Sequence, residues 1–240
     1  MSELFKRSVP KGDFAELSKL IHGFIKTGKT TLACQMVVGD KEPLFIATED
    51  GHHGLNVLVE SVRNWADFKL AVKKLTDNKA ALKEQCSCIV LDLVSDLDQW
   101  CADYVCGLLH IKSLSDLEWG KGFSEHRKEF QREIAKLFDL LPLTFISHSK
   151  EKEISFEGEK IKTQAPNLSS GCLEYINGKV DLVGFIVPSS KTKSNPLVTF
   201  RPTRLAIAGS RLPYLAKDFE LNPKNMRESY LNIVTAFQNK

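Results

Sequence analysis

Apolar residues along this chain follow two patterns, short continuous runs and stretches with helical spacing. The continuous runs predict buried strands at 17–21, 43–51, 57–62, 88–92, 142–149, 181–187 and 197–200. Apolar residues three or four positions apart predict helices at 31–38, 64–75, 96–110, 124–141 and after Pro223. Strands that alternate with helices indicate the α/β class, with a doubly wound and mostly parallel sheet.

A hairpin is predicted to follow the strand at 142–149. Apolar residues alternate with lysine and glutamate over 150–162, on both sides of Glu157 and Gly158. Together with the later strands, this hairpin would give the sheet antiparallel edge strands. The last apolar pattern, after Asn222 and Pro223, predicts an amphipathic C-terminal helix.

Composition narrows the function classes only slightly. A chain of 240 residues can bury a full core as one domain, and its net charge of +3 does not by itself indicate a nucleic-acid partner. No apolar run approaches the length of a membrane span, and the polar N-terminus lacks a signal-peptide core, so we expect a cytoplasmic protein without membrane contact. The six cysteines form no C-x-x-C pair and are expected to be free thiols.

The segment that carries most chemical information lies between the first strand and the first helix. Gly23, Gly28, Lys29 and Thr30 match the phosphate-binding loop G-x-x-x-x-G-K-[ST] without a mismatch. Such a loop turns its backbone N–H groups toward phosphates, Lys29 would reach the β and γ oxygens, and the Thr30 hydroxyl would bind Mg²⁺. The expected nucleotide-binding residues are Gly23, Phe24, Ile25, Lys26, Thr27, Gly28, Lys29, Thr30 and Thr31.

Polar residues also end three of the later predicted strands. Glu49 and Asp50 follow the second strand, which we expect to lie beside the first. Asp92 closes the apolar run at 88–92, which is the Walker B pattern, and His148 ends the strand at 142–149. Because ligands of doubly wound sheets bind beyond the carboxyl ends of the strands, these residues are expected to converge on one triphosphate.

The order of these features resembles the RecA-type ATPase core. The chain looks like the small phage RecA-like ATPases of the single-strand annealing or recombination type, over roughly residues 15–215. The resemblance rests on the phosphate loop and on the segments at 45–51, 89–96, 119–122 and 145–148. It implies a polar N-terminal arm at 1–14, a RecA-like P-loop core at 15–220 and a C-terminal helix at 221–240 that packs on the core.

The resemblance also implies roles for individual residues, with ATP and Mg²⁺ as cofactors. Glu49 would orient or deprotonate the attacking water, and Asp92 would hold the Mg²⁺ through water together with Thr30. His148 stands at the position of a γ-phosphate sensor. Arg211 resembles a basic finger that reaches a neighbouring subunit in a ring or filament, although an exposed arginine in a turn is the alternative.

Single-stranded DNA is the expected macromolecular partner, because RecA-type proteins bind it with loops after the sensor strand. Lys150, Lys152, Lys160 and Lys162 lie in the predicted hairpin with Phe156, a combination suited to phosphate contacts and base stacking. The alternative is a solvated hairpin, since glutamates alternate with these lysines. His52 and His53 beside Asp50 are expected to be surface histidines rather than metal ligands.

Three functions therefore remain open. The first is a DNA-stimulated ATPase, the second is a nucleotide-gated binding module with little hydrolysis, and the third is a P-loop kinase that acts on a small molecule. Glu49 favours hydrolysis, and the chain lacks the arginine cluster expected in a kinase lid. It also lacks the [NT]-K-x-D motif by which GTPases read guanine, so adenine is the expected base.

Overall fold

The computed structural model describes residues 11–51, 54–156, 158–189 and 195–239, and within these ranges the chain forms ten strands and seven α-helices. The strands are β1 (Lys19–Gly23), β2 (Glu42–Ala47), β3 (Leu58–Ser61), β4 (Cys86–Asp92), β5 (Leu143–Phe156), β6 (Glu159–Pro166), β7 (Leu182–Val187), β8 (Leu197–Thr199), β9 (Gly209–Ser210) and β10 (Asp218–Glu220). The helices are α1 (Lys29–Ala33), α2 (Trp65–Asp77), α3 (Lys79–Gln85), α4 (Val94–Leu109), α5 (Lys121–Phe138), α6 (Ser170–Lys179) and α7 (Met226–Gln238). Short 3-10 helices lie at Phe14–Glu16, Leu114–Asp116, Glu118–Gly120 and Pro213–Leu215.

All ten strands belong to one sheet. Its main path runs β10-β8-β7-β1-β5-β4-β2-β3, with β6 paired to β5 and β9 paired to β7. The pairs among β7, β1, β5, β4, β2 and β3 are parallel, whereas β6, β8, β9 and β10 pair antiparallel. The predicted α/β class, with a mostly parallel sheet, antiparallel edge strands and a hairpin, is confirmed, and the arrangement is that of a P-loop NTPase.

Two apolar cores cover the two faces of this sheet. One core packs α2, α4, α5 and α6 against residues such as Ile89 and Phe145. The other packs α1 and α7 against residues such as Ile21 and Val90, and there Phe14 contacts the ring of Tyr230 edge-on. Because both faces are covered, the central strands are apolar at nearly every position, which is why the sequence shows them as continuous runs.

Two sequence expectations about strand and helix placement are wrong. The second strand does not lie beside the first, because β5 and β4 separate β1 from β2. Continuous apolar runs carry no information about pairing order, since any buried parallel strand satisfies the same pattern. The first helix is also shorter than expected: α1 ends at Ala33, and Val38 instead forms a bridge with Lys41.

The hairpin is an extension of a central strand rather than a separate element. β5 passes through His148 without a break and pairs with β6 from Ser149 to Phe156. Glu157, His52, His53, the first ten residues and the side chain of Phe156 lie outside the described part of the chain. Within that part, no helix combines the length and the apolar character needed to cross a membrane.

Candidate nucleotide-binding site

The phosphate-binding loop connects β1 to α1 at the carboxyl edge of the sheet. Gly28 has a φ of 92°, which a residue with a side chain rarely adopts, so the loop requires glycine at this position. A Cβ added to Gly23 would lie 3.1 Å from the carbonyl oxygen of Ile186 on β7. These two glycines therefore allow the loop its conformation and its close approach to β7.

Lys29 is held inside the loop by carbonyl groups. Its Nζ donates to the oxygen of Phe24 at 2.7 Å and to that of Gly23 at 3.2 Å. Burial lowers the pKa of this ammonium, and the nearby carboxylates of Asp92 and Glu49 act in the opposite direction. Within the described residues, the hydrogen bonds of this ammonium go to neutral carbonyl oxygens, which leaves Lys29 suited to bind an anion.

Thr30 and Asp92 join the loop to the Walker B strand. The Thr30 hydroxyl donates to Asp92 Oδ2 at 2.7 Å, whereas the buried Asp92 Oδ1 accepts no hydrogen bond within the described residues. Burial raises the pKa of Asp92 to about 6, against the lowering effect of the Thr30 hydrogen bond. A hydroxyl beside a carboxylate with an unused oxygen is an oxygen donor set of the kind that Mg²⁺ prefers.

His148 lies beside the loop on the neighbouring strand. In the parallel register of β1 and β5, His148 is the partner of Gly23. Its Nδ1 is buried and has no hydrogen-bond partner among the described residues. Burial and the charge of Lys29 lower the pKa of His148, so its imidazole is neutral at pH 7.

The two candidate carboxylates after β2 face different surroundings. Glu49 lines the same cavity as Lys29, Thr30 and His148, a space of about 640 Å³. Asp50 instead forms an ion pair with Arg63 at 2.9 Å. Although two strands, β5 and β4, lie between β1 and β2, the carboxyl ends of β1 and β2 both border this cavity, so Glu49 reaches it.

Some residues at this site were not predicted. Thr48, directly before Glu49, donates to Asp96 Oδ2 at 2.6 Å and accepts the N–H of Leu93, and so fixes the ends of β2 and β4. Its place at a strand end was the available signal. Met226, the first residue of α7, and Pro223, just before that helix, also line the cavity, but no motif marks them because they approach it only through folding.

Arg211 lies near the amino-terminal ends of the parallel strands, opposite the end that holds the phosphate loop. Its guanidinium donates to the carbonyl of Gly178 at 2.6 Å and lies 4.0 Å from Asp181, which directly precedes β7. The phosphate loop is at the other end of the strands, roughly 15 Å away for a strand of five residues. Arg211 is therefore separated from the cavity of its own chain.

The four hairpin lysines are divided between two faces. Lys160 and Lys162 pair with Glu153 at 2.9 Å and Glu151 at 2.7 Å. Because side chains alternate along a strand, Lys150 and Lys152 point to the opposite face. Lys150 donates to the carbonyl of Leu168 at 3.0 Å.

Comparison with known proteins agrees with this geometry. The sequence model of the family described as "AAA domain" matches residues 15–212. A relative from Bacillus subtilis (strain 168), the SPbeta prophage-derived uncharacterized protein YorG, is 31% identical over 134 residues. That alignment covers 55% of this chain and 40% of the relative, so the chain spans less than half of the relative's length. From the phosphate loop and the family match over most of its length, the chain belongs to the AAA domain family of P-loop ATPases.

Proposed function

We propose that this chain binds ATP with Mg²⁺, hydrolyses the γ-phosphate, and couples hydrolysis to single-stranded DNA bound on the β5–β6 hairpin. One observation carries the nucleotide part of the proposal. Asp92 Oδ1 and His148 Nδ1 are buried and have no hydrogen-bond partner in the part of the chain that the structure describes, and both lie by the cavity that Lys29 lines. Buried polar atoms without partners are costly, and a bound triphosphate with its metal would satisfy both.

Each residue then has a distinct task in phosphoryl transfer. Lys29 exchanges its carbonyl partners for the β and γ oxygens, while Thr30 and Asp92 hold the metal position. The bound Mg²⁺ supplies neutralisation of phosphate charge. Glu49 orients the attacking water, and the neutral imidazole of His148 donates a hydrogen bond to the γ-phosphate. This division suits a reaction that depends on positioning and electrostatics more than on covalent chemistry.

The base is proposed to bind against the apolar residues of the cavity. These are Ile25, Pro196, Pro223 and Met226, and the Met226 methyl lies 3.3 Å from the position of a Cβ on Gly28. Apolar side chains of this kind suit contact with a purine. Adenine is the proposed base because the guanine-reading motif is missing from the sequence.

The DNA part of the proposal depends on the continuity of β5. His148, Lys150 and Lys152 lie at every second position of β5 and so share one side of the strand. A DNA phosphate bound by Lys150 or Lys152 would therefore shift β5, the strand that also carries His148. The RecA-type resemblance and the prophage origin of the relative suggest a role in phage-type recombination or annealing.

The experiment compares ATP hydrolysis by the purified chain with and without single-stranded DNA, on a species of defined size. The proposal predicts turnover that DNA increases. A rate of turnover that DNA leaves unchanged would contradict the coupling of hydrolysis to DNA. ATP binding without turnover would favour the nucleotide-gated binding module. Transfer of phosphate to a small molecule would favour the kinase.

The two faces of the hairpin provide a matched pair of variants for DNA binding. The double variant Lys150→Ala, Lys152→Ala should bind single-stranded DNA more weakly. Its affinity should also depend less on salt, because a protein that makes fewer phosphate contacts releases fewer counterions when it binds. Lys160→Ala with Lys162→Ala removes the same charge from the face where the lysines pair with glutamates, and should have the smaller effect. Fluorescence anisotropy across a salt series measures both. Equal affinities for the two variants and the wild type would rule out the hairpin as the DNA site.

A further inference from the structure

Three buried side chains from three helices meet outside the nucleotide cavity. They are Asp98 on α4, His126 on α5 and Cys172 on α6. Asp98 Oδ1 lies 3.0 Å from His126 Nε2, and Cys172 Sγ lies 4.0 Å from the same nitrogen. One possible ligand atom from each residue lies within 4.8 Å of the other two. Within the described ranges, no other three His, Cys, Asp or Glu side chains meet in this way.

The separations are close to those of a tetrahedral zinc site. With Zn–N and Zn–O bonds of about 2.0 Å and a Zn–S bond of about 2.3 Å, tetrahedral angles place N and O roughly 3.3 Å apart and N and S roughly 3.5 Å apart. The observed distances of 3.0 Å and 4.0 Å differ from these values by about half an ångström or less. Small side-chain rotations would therefore bring the three atoms around one ion.

The carboxylate of Asp98 is already held in place. The backbone N–H of Ser169 donates to its Oδ2 at 2.6 Å, and the Ser169 hydroxyl donates to its Oδ1 at 3.0 Å. His126 Nε2 lies 3.0 Å from the same Oδ1, so both oxygens of this carboxylate are held by neighbouring groups. Support of a ligand by groups behind it is typical of metal centres.

We propose that Asp98, His126 and Cys172 form a zinc-binding site. Asp98 and His126 line a separate cavity of about 480 Å³, from which a water molecule would complete the coordination. A thiolate and an imidazole nitrogen favour zinc over Mg²⁺, which prefers oxygen. On binding, Cys172 releases its thiol proton to solvent. The imidazole proton that His126 Nε2 shares with Asp98 in the metal-free chain moves to Nδ1 by tautomerisation, which frees Nε2 to bind zinc.

The position of the site gives it a structural consequence. Ser169 lies between the end of β6 and the start of α6. An ion bound here would therefore link β6, the second strand of the hairpin, to α4 and α5. The N–H of Asn167, two residues earlier, donates to the carbonyl of His148 at 2.8 Å. Zinc would thus stiffen the connection between the hairpin and the strand of the nucleotide site.

The test uses the full chain, treated with a chelator and titrated with Co²⁺. We expect a near-ultraviolet thiolate-to-cobalt charge-transfer band that about one equivalent of zinc removes. Cys172→Ser should abolish the band, whereas Cys106→Ser, which removes a thiol from α4 outside the cluster, should keep it. Thr30→Ala should also keep the band, because the phosphate loop offers no sulfur ligand, and so the result is independent of the proposed ATPase function.

Wild-type measurements keep the proposal testable if Cys172→Ser does not fold. Zinc X-ray absorption should show a single sulfur ligand among nitrogen and oxygen ligands, and zinc should raise the melting temperature by mass action. A folded wild-type chain without the cobalt band, or a zinc spectrum without sulfur, would overturn the proposal. Either result would leave the three residues as a hydrogen-bonded network between helices.

Discussion

Replacement of Asp92 by asparagine is expected to stabilise the protein while it damages the nucleotide site. Asp92 is 6% exposed, and among the described residues its Oδ2 accepts a hydrogen bond from Thr30 whereas its Oδ1 accepts none. Asparagine keeps an oxygen that accepts this bond but removes the buried charge. Functional sites often retain such unfavourable groups because the ligand requires them.

The magnitude follows from the pKa of Asp92, which burial raises from 3.8 to about 6. Between these two values the folded state binds more protons than the unfolded state, so the free energy of unfolding falls as pH rises through this window. A difference of about 2 pKa units corresponds to about 3 kcal/mol, all of which opposes folding at pH 7. Near pH 4 the carboxyl is largely protonated in the folded chain, and the penalty is less than about 1 kcal/mol.

Urea unfolding of wild type and Asp92→Asn at pH 7 and pH 4 measures this effect. The variant should gain on the order of 3 kcal/mol at pH 7 and lose most of that advantage at pH 4. Asp103→Asn, which removes an exposed carboxylate from α4, is the matched control and should change stability little at either pH. A variant less stable than wild type at pH 7, or a gain that does not depend on pH, would refute the reasoning.

The same variant tests the role of Asp92 in the nucleotide site. Mg²⁺ with ATP should raise the melting temperature of the wild type more than ATP with a chelator does. In Asp92→Asn the two conditions should give the same shift, because the carboxylate that helps to hold the metal is gone. An undiminished magnesium effect would remove Asp92 from the metal position.

Three further predictions concern the reaction. Lys29→Ala should abolish ATP binding or turnover with the circular dichroism spectrum unchanged, and normal turnover would end the P-loop interpretation. Glu49→Gln should keep nucleotide affinity but slow hydrolysis by roughly a hundredfold or more in a steady-state assay. Asp50→Asn should slow hydrolysis less in the same assay, because Asp50 pairs with Arg63. Arg211→Ala should lower turnover only in a species that size-exclusion chromatography shows to be oligomeric; an equal loss in a monomer would contradict a role in a neighbouring subunit.

Much of the fold could be predicted from local pattern. Buried parallel strands such as β4 are apolar at almost every position. The start of α2 at Trp65 is marked by Asn64, the preceding residue, whose side chain accepts the N–H of Asp67. The order of strands could not be predicted, because β2 and β5 have the same apolar character. Packing of the connecting helices on both faces, and not local sequence, decides that β5 lies beside β1.

For the chemical sites, the sequence by itself determined the phosphate loop, because Gly23 to Thr30 are contiguous and their backbone geometry is local. Only the tertiary structure decided that Glu49 faces the cavity while Asp50 pairs with Arg63, since neighbouring residues at a strand end diverge according to what surrounds them. It alone brought Asp98 and Cys172 together across more than 70 residues of chain. Contacts of that separation arise from helix packing, which leaves no periodicity or spacing in the sequence.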